Sequence, residues 1–370
     1  MTIRLAIQQR VIPSYRVPFL ELLANQPTIE LGVFAGAPQD VEQINFVKHI
    51  QNVDFEFSKN KHIFEGKFYF CLQPAFKTWI RNWNPDILIA EANPRYLSTP
   101  AVLKWMRSKS KPVLGWGLGV PHYSGMFSGL RNNSRRKFLS AFSGMIAYSQ
   151  QGAKQYLQSG FTPEQVYIAK NATSPAPQTD PPQRSYFSIA RKPIVLYVGR
   201  LQKRKRIDSL INVCGKLPEN IQPELWIVGN GEIRDELEGL AKSVYPNTRF
   251  WGQKFGEELE SIFIKADLFV LPGTGGLAVQ QAMSFALPVV VAEGDGTQSD
   301  LVNETNGWNI LPNDENQLHE VILEALTSPE KMHEKGLAGY EKVKNSVNIE
   351  NMVSVFMKAI TETLVRKNHQ

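Results

Sequence analysis

"LPGTGGLAVQQAMSFALPVV", residues 271–290, reads as the end of a buried strand, a glycine-rich turn, a helix and the start of another strand. Strand–helix–strand units with short connections place neighbouring strands parallel and cover the sheet with helices. The turn contains Gly273, Thr274, Gly275 and Gly276, and the whole stretch carries no acid. A helix opening near Leu277 offers backbone N–H groups and the positive end of its dipole to an anion. Glycines let that backbone approach closely. Close packing of the helix on its strand would need them as well.

The same pattern runs through the second half of the chain. KPIVLYVGR, PELWIVGNG, TRFWGQ, DLFVLPG and LPVVVAEG are apolar runs bounded by turn residues, and helical segments such as RIDSLINVCGKL and EIRDELEGLAKSV lie between them. In the first half IRLAIQQ, IELGVFAGA, PDILIAEA, KPVLGWGLG, GMIAYS and VYIAKNA alternate with VPFLELLAN and AVLKWMRSK. Between the halves lies the proline-rich stretch NATSPAPQTDPPQRS, residues 171–185, which reads as a linker. The expected class is α/β, with two Rossmann-like, doubly wound domains facing a central cleft. The N-terminal domain covers residues 1–180 and the C-terminal domain 190–350, with a last helix at about 350–370 packing back on the first. Ligands of such sheets sit at the carboxyl ends of the strands. The candidate site residues are therefore those that directly follow a strand.

Composition bounds the function. The 370 residues exceed one ordinary core and suit two domains of roughly 150 to 200 residues. Apolar residues make up 42% and charged residues 21%, as in a globular protein, and no apolar run is long enough to span a membrane. The start, MTIRLAIQQR, alternates like a strand and lacks the pattern of a signal peptide, so a cytosolic protein is expected. Cys71 and Cys214 are the only cysteines, which excludes a disulfide framework and a cysteine-based zinc site. The net charge of +6 is uneven: residues 1–185 hold 21 Lys and Arg against 11 Asp and Glu, while the remainder holds 20 against 24. Such asymmetry points the first half towards an anionic partner, a nucleic acid or an anionic membrane surface. No helix-turn-helix, zinc-finger or RNA-binding signature supports nucleic acid.

In the second half, Gly199 and Arg200 follow the strand KPIVLYV, and Lys205 stands near the start of the next helix. An arginine fork holds two phosphate oxygens and a lysine adds a mobile point charge, a pair that suits a diphosphate leaving group. The run Lys203–Arg206 also reads as a solvated basic turn or a nuclear-import signal. Gly229, Asn230 and Gly231 form a tight turn before a helix, too short for a dinucleotide fingerprint but placed to line a nucleotide base. In the first half Arg10 and Ser14 follow the first strand, and Gly117 and His122 follow KPVLGWG; these are the candidates for the acceptor side.

YVGRLQKRKRID, WIVGNGE, QAMSFALPVVVAEGDGTQSDLV and NGWNI resemble family 4 glycosyltransferases of the GT-B fold, and VIPSYRVPFLELLA and MIAYSQQGAKQYLQSGFTPEQVYIAKNAT are similar to that group's N-terminal domain. The resemblance implies retaining transfer of a sugar from a nucleotide-diphosphate donor, UDP before GDP, without a metal or other cofactor. It implies that Arg200 and Lys205 grip the donor diphosphate and that a histidine, here His122, lies near the reacting sugar. The family usually carries two glutamates eight positions apart around the turn at 273–277. Gln281 stands in place of the second and Gly273 in place of the first, in a shortened loop. Backbone N–H groups of Gly275, Gly276 and Leu277 are expected to replace the missing carboxylate. The alternative is a GT-B protein that binds nucleotide-sugars without turnover.

Between Glu91 and Glu164 there is no acid, while Arg95, Lys104, Arg107, Lys109, Lys111, Arg131, Arg135, Arg136, Lys137 and Lys154 fall in that window. FSGLRNNSRRKFLSAF places Phe127, Leu130, Phe138, Ala141 and Phe142 on one side at helical spacing, and Trp79 and Trp83 lie upstream beside Lys77 and Arg81. This mixture suits an interfacial helix on an anionic membrane and a glycan or lipid-linked acceptor. The same residues also fit an ordinary core with solvated charges.

Overall fold

The computed structural model describes residues 2–42, 44–120, 128–184, 191–294 and 296–368. The chain divides into two compact units, one of residues 1–173 with 349–370, the other of residues 174–348.

In the first unit the strands are β1 (Ile3–Gln8), β2 (Ile29–Gly36), β3 (Asp54–Ser58), β4 (Lys61–Ile63), β5 (Phe70–Leu72), β6 (Ile87–Glu91), β7 (Val113–Gly117), β8 (Gly144–Ala147) and β9 (Val166–Ile168). Seven of them form one sheet in the order β3-β2-β1-β6-β7-β8-β9, while β4 and β5 pair with each other. Every pairing in the large sheet is parallel. Helices cover both faces, so the central strands read as continuous apolar runs and not as alternating ones. Leu5, Ile7, Ile87, Ile89, Leu114 and Ile146 are fully buried in one layer, and Leu88, Ala90 and Met145 in the other. The helix Ile349–Asn368 closes the first layer: Phe356 packs edge-on to Phe19 at 4.8 Å and to Trp116 at 4.9 Å between ring centres.

The second unit repeats the design with β10 (Ile194–Val198), β11 (Glu224–Val228), β12 (Thr248–Gly252), β13 (Leu268–Leu271), β14 (Val289–Ala292) and β15 (Trp308–Ile310). They form one parallel sheet in the order β12-β11-β10-β13-β14-β15. Chain order reverses between β10 and β13, as it does between β1 and β6 in the first unit. At these switch points the flanking loops turn away from one another and open a crevice beyond the strand ends.

Two expectations need correction. The first unit ends at Thr173 and not at residue 180, and of the stretch 171–185 read as a linker the residues from Ser174 on are tied to the second unit. Ser174 exchanges hydrogen bonds with the Gln280 amide, and the Arg184 guanidinium donates to the carbonyls of Phe263, Ala266 and Phe285. Nor do the described aromatics in and upstream of the basic window form an outward face. Trp79, Trp83 and Phe142 are buried, and Phe138 packs edge-on against Phe142 at 5.4 Å. Apolar burial outweighs the charges flanking these rings in sequence, because the charges reach solvent on their own stems. Phe127 and the Leu130 side chain lie outside the described residues.

Candidate functional site

Three loops gather beyond the carboxyl ends of β10, β11 and β13. The first two are laced together by backbone. The Gly199 N–H donates to the Val228 carbonyl at 3.0 Å, and the Leu201 N–H to the Asn230 carbonyl at 3.0 Å. A Cβ at Gly229 would lie 1.9 Å from the Gly199 carbonyl oxygen, and one at Gly231 would lie 2.2 Å from that of Leu201. Both glycines are therefore required for the loops to touch, whatever else the turn holds.

The loop after β10 is equally joined to the loop after β13. Lys203–Lys205 form a single 3-10 turn, and Lys205 is buried. Its ammonium donates to the Thr274 carbonyl at 2.6 Å, while the Thr274 N–H donates back to the Arg204 carbonyl at 3.2 Å. A Cβ at Gly273 would meet the Arg204 carbonyl oxygen at 2.3 Å. The basic run is thus not a wholly solvated turn: its last lysine is folded under the glycine turn. Arg200 stays exposed at the mouth of β10, and its carbonyl accepts from the Tyr197 hydroxyl at 2.9 Å. The sequence pairs Arg200 with Lys205 as equals; the structure makes one a surface cation and the other a cation that braces the turn.

Gly275 (φ +74°) and Gly276 (φ +126°) take backbone conformations that side chains disfavour. Leu277 caps the helix Ala278–Ser284, as expected from the sequence, but that helix has only seven residues. Two glutamines stand side by side on the helix. Gln280 is buried and bonds Ser174 and the Val347 carbonyl, the latter at 2.8 Å, which makes it a structural tie. Gln281, in the position of the family glutamate, is half-buried.

At the first unit's switch point the Arg10 N–H donates to Glu91, the last residue of β6, at 2.7 Å. The Arg10 guanidinium grips both oxygens of Glu42 at 2.7 Å and lies over the Tyr69 ring at 5.7 Å. Tyr69 in turn bonds His62 at 2.8 Å. Burial pushes the Glu91 carboxyl above the ordinary carboxylate range, against the opposing pull of the Arg10 N–H and guanidinium. Burial works the same way on Glu42, but the Arg10 and Gln39 hydrogen bonds outweigh it and hold that carboxyl below the range. Arg10 therefore presents an ion pair to its surroundings, not a lone cation. Gly117 ends β7, next in the sheet to β6, and a Cβ there would lie 2.8 Å from the Tyr156 hydroxyl. The Ser14 N–H donates to Asn45 at 3.0 Å. His122 lies outside the described residues.

Glu91, Glu42, Tyr69 and His62 are not among the residues expected from sequence. Glu91 carries a usable signal, a charged residue closing the buried run PDILIA. His62 and Tyr69 carry none, because the short β4–β5 pair brings them in from elsewhere.

Residues 182–342 match the family model "Glycosyl transferases group 1". The sulfoquinovosyl transferase of Arabidopsis thaliana is 34% identical over 119 residues, 31% of this chain and 22% of that protein. A GDP-mannose-dependent phosphatidylinositol monomannoside mannosyltransferase of Corynebacterium glutamicum is 26% identical over 221 residues, 56% of this chain and 55% of that protein. In both cases the match covers less than two thirds of the relative's own length. The crystal structure of Anabaena HepE in complex with UDP superposes with a TM-score of 0.71 at 17% identity, covering 98% of this chain and all of that one, a likeness of fold.

Proposed function

We propose that this chain, whose residues 182–342 match the glycosyl transferases group 1 model, is a retaining hexosyltransferase that moves a sugar from a nucleoside diphosphate donor to a glycan or lipid-linked acceptor. The observation that carries the reading is the assembly at the β10/β13 switch point, where Arg200, the buried Lys205 and the Gly273–Gly276 turn converge on one loop cluster. As the glycosidic bond to the donor breaks, negative charge grows on the leaving diphosphate. Fixed cations and N–H donors already in place stabilise that charge without reorganising. This reading assigns the task to Arg200, Lys205 and the turn. The base is uridine or guanosine: the HepE neighbour was solved with UDP, and the mannosyltransferase relative uses GDP-mannose. The Arg10–Glu91–Tyr69 cluster, with Gly117 beside it, supplies hydrogen-bonding groups to acceptor hydroxyls.

A thermal-shift screen over UDP- and GDP-sugars, followed by a transfer assay with the binders, tests the proposal. A true donor at a hundredfold excess over its Kd stabilises the fold by about 2.7 kcal/mol. If no nucleotide-sugar shifts the transition, the site assignment is wrong. A shift without transfer to any glycan or lipid acceptor would favour the non-catalytic binder.

A further inference from the structure

At the amino ends of β7, β8 and β9, opposite the strand ends that carry Glu91 and Gly117, lies a cavity of about 470 Å³. Four of its lining residues are cations, Arg107, Lys111, Arg366 and Lys367, and hydroxyls of Ser143 and Thr363 stand among them. No aspartate or glutamate lines it. The described ion pairs of this unit are Arg4–Glu30, Arg10–Glu42 and Lys358–Glu362, so none uses these four cations. Their described hydrogen bonds go to neutral groups: Arg107 to the Ser140 carbonyl at 3.2 Å, Lys111 to the Asn84 amide oxygen at 2.7 Å and Arg366 to the Tyr167 hydroxyl at 3.0 Å.

A bland purpose for such cations is to neutralise helix C-termini, and the helices Thr99–Ser108, Ser128–Leu139 and Ile349–Asn368 all end nearby. Each terminus contributes roughly half a negative charge, which falls well short of four positive ones. The cations also oppose one another. Burial holds Lys111 below the ordinary ammonium range, Asp86 pulls it back, and Lys367, Arg4 and Lys109 add repulsion.

A second groove of about 480 Å³ shares Leu103, Arg107 and Ala141 with this cavity. Its floor is apolar, with Phe138 added, and Lys104 and Lys137 stand on its rim. A basic, hydroxyl-bearing cavity that shares a wall with an apolar groove has the polarity of an amphiphile with an anionic head. We propose that the two form a site for one anionic glycerophospholipid, with its phosphate among Arg107, Lys111, Arg366 and Lys367 and its acyl chain along Leu103, Phe138 and Ala141. The site holds the first unit at a membrane surface through a bound lipid and not through an aromatic helix face. It does not depend on the glycosyltransferase reading.

The test is calorimetry on the full chain with dihexanoyl phosphatidylglycerol, dihexanoyl phosphatidylcholine, glycerol 3-phosphate and inorganic phosphate. The anionic lipid should bind about tenfold or more tighter than glycerol 3-phosphate, the equivalent of burying two methylenes, and tighter than the zwitterionic lipid. Lys367→Glu, at an exposed position, and Lys111→Glu should each weaken it about 25-fold, since each reverses one charge near the headgroup. Lys154→Glu, on another helix of the basic window, should leave it unchanged. Donor-induced thermal shifts should be the same in all three variants, which separates this site from the donor site. Inorganic phosphate or glycerol 3-phosphate binding as tightly as the lipid would make it a soluble-anion site and overturn the proposal. So would equal loss in Lys154→Glu and Lys367→Glu, or no binding of the anionic lipid.

Discussion

Arg200 and Lys205 are alike in the sequence and unlike in the structure, and their variants should separate accordingly. Lys205 is 6% exposed and donates to the Thr274 carbonyl at 2.6 Å. Lys205→Met keeps the stem and its packing but removes the charge and the donor. Breaking a hydrogen bond to a charged group costs about 1.5–3 kcal/mol. At about 2–4 °C per kcal/mol for a unit of this size, the second unit's transition should fall by about 3–12 °C. Turnover should drop by about 10²- to 10³-fold, the scale of losing one preorganised donor. Arg200 is exposed, at the mouth of β10. Arg200→Ala should therefore shift stability by no more than about 0.5 kcal/mol while turnover still falls by about 10²-fold. The assays are differential scanning calorimetry without ligand and initial rates at saturating acceptor. Wild-type stability in Lys205→Met would refute its bracing role. Wild-type turnover in either variant would refute the diphosphate grip.

The glycine turn and the Arg10 cluster give two more outcomes. A Cβ at Gly276 would lie 2.5 Å from the buried Leu271 side chain at φ +126°, so Gly276→Val should destabilise the fold by about 2 kcal/mol or more; at Gly275 the nearest atoms are the ends of the Lys205 and Arg204 side chains, and Gly275→Ala should cost about 1–2 kcal/mol of strain while weakening donor binding. Urea unfolding with and without nucleotide-sugar distinguishes them, and a fully stable Gly276→Val would contradict the packing. The two carboxylates beside Arg10 should titrate with opposite signs. Glu91, raised by burial, lowers stability progressively as the pH rises from the ordinary carboxylate range to its folded pKa, so Glu91→Gln should gain stability at neutral pH and lose the gain below the ordinary carboxylate range. Glu42, depressed, contributes stability above that range, and Glu42→Gln should be destabilised at neutral pH, with a deficit that closes as the pH falls through the depressed pKa. Parallel pH profiles for the two variants would refute the assignment.

The sequence by itself determined the alternation of strands and helices, the two-unit design and the residues that come directly after each strand. Those features rest on short-range rules: apolar runs such as LPVVV can only be buried strands between covering helices, and glycines before a helix mark a tight turn. Arg10, Arg200 and the turn at 273–276 were legible for that reason. What only the tertiary structure decided are the contacts between loops far apart in the chain. Lys205 is buried because Thr274 covers it, and Arg10 is an ion pair because the segment holding Glu42 folds back over β1. The rings of Trp79, Trp83 and Phe142 face inward because the core, not the neighbouring arginines, sets their free energy. The basic cavity joins Arg107 and Lys111 to Arg366 and Lys367 from the far end of the chain. No local pattern encodes such a meeting, because it depends on where the last helix docks.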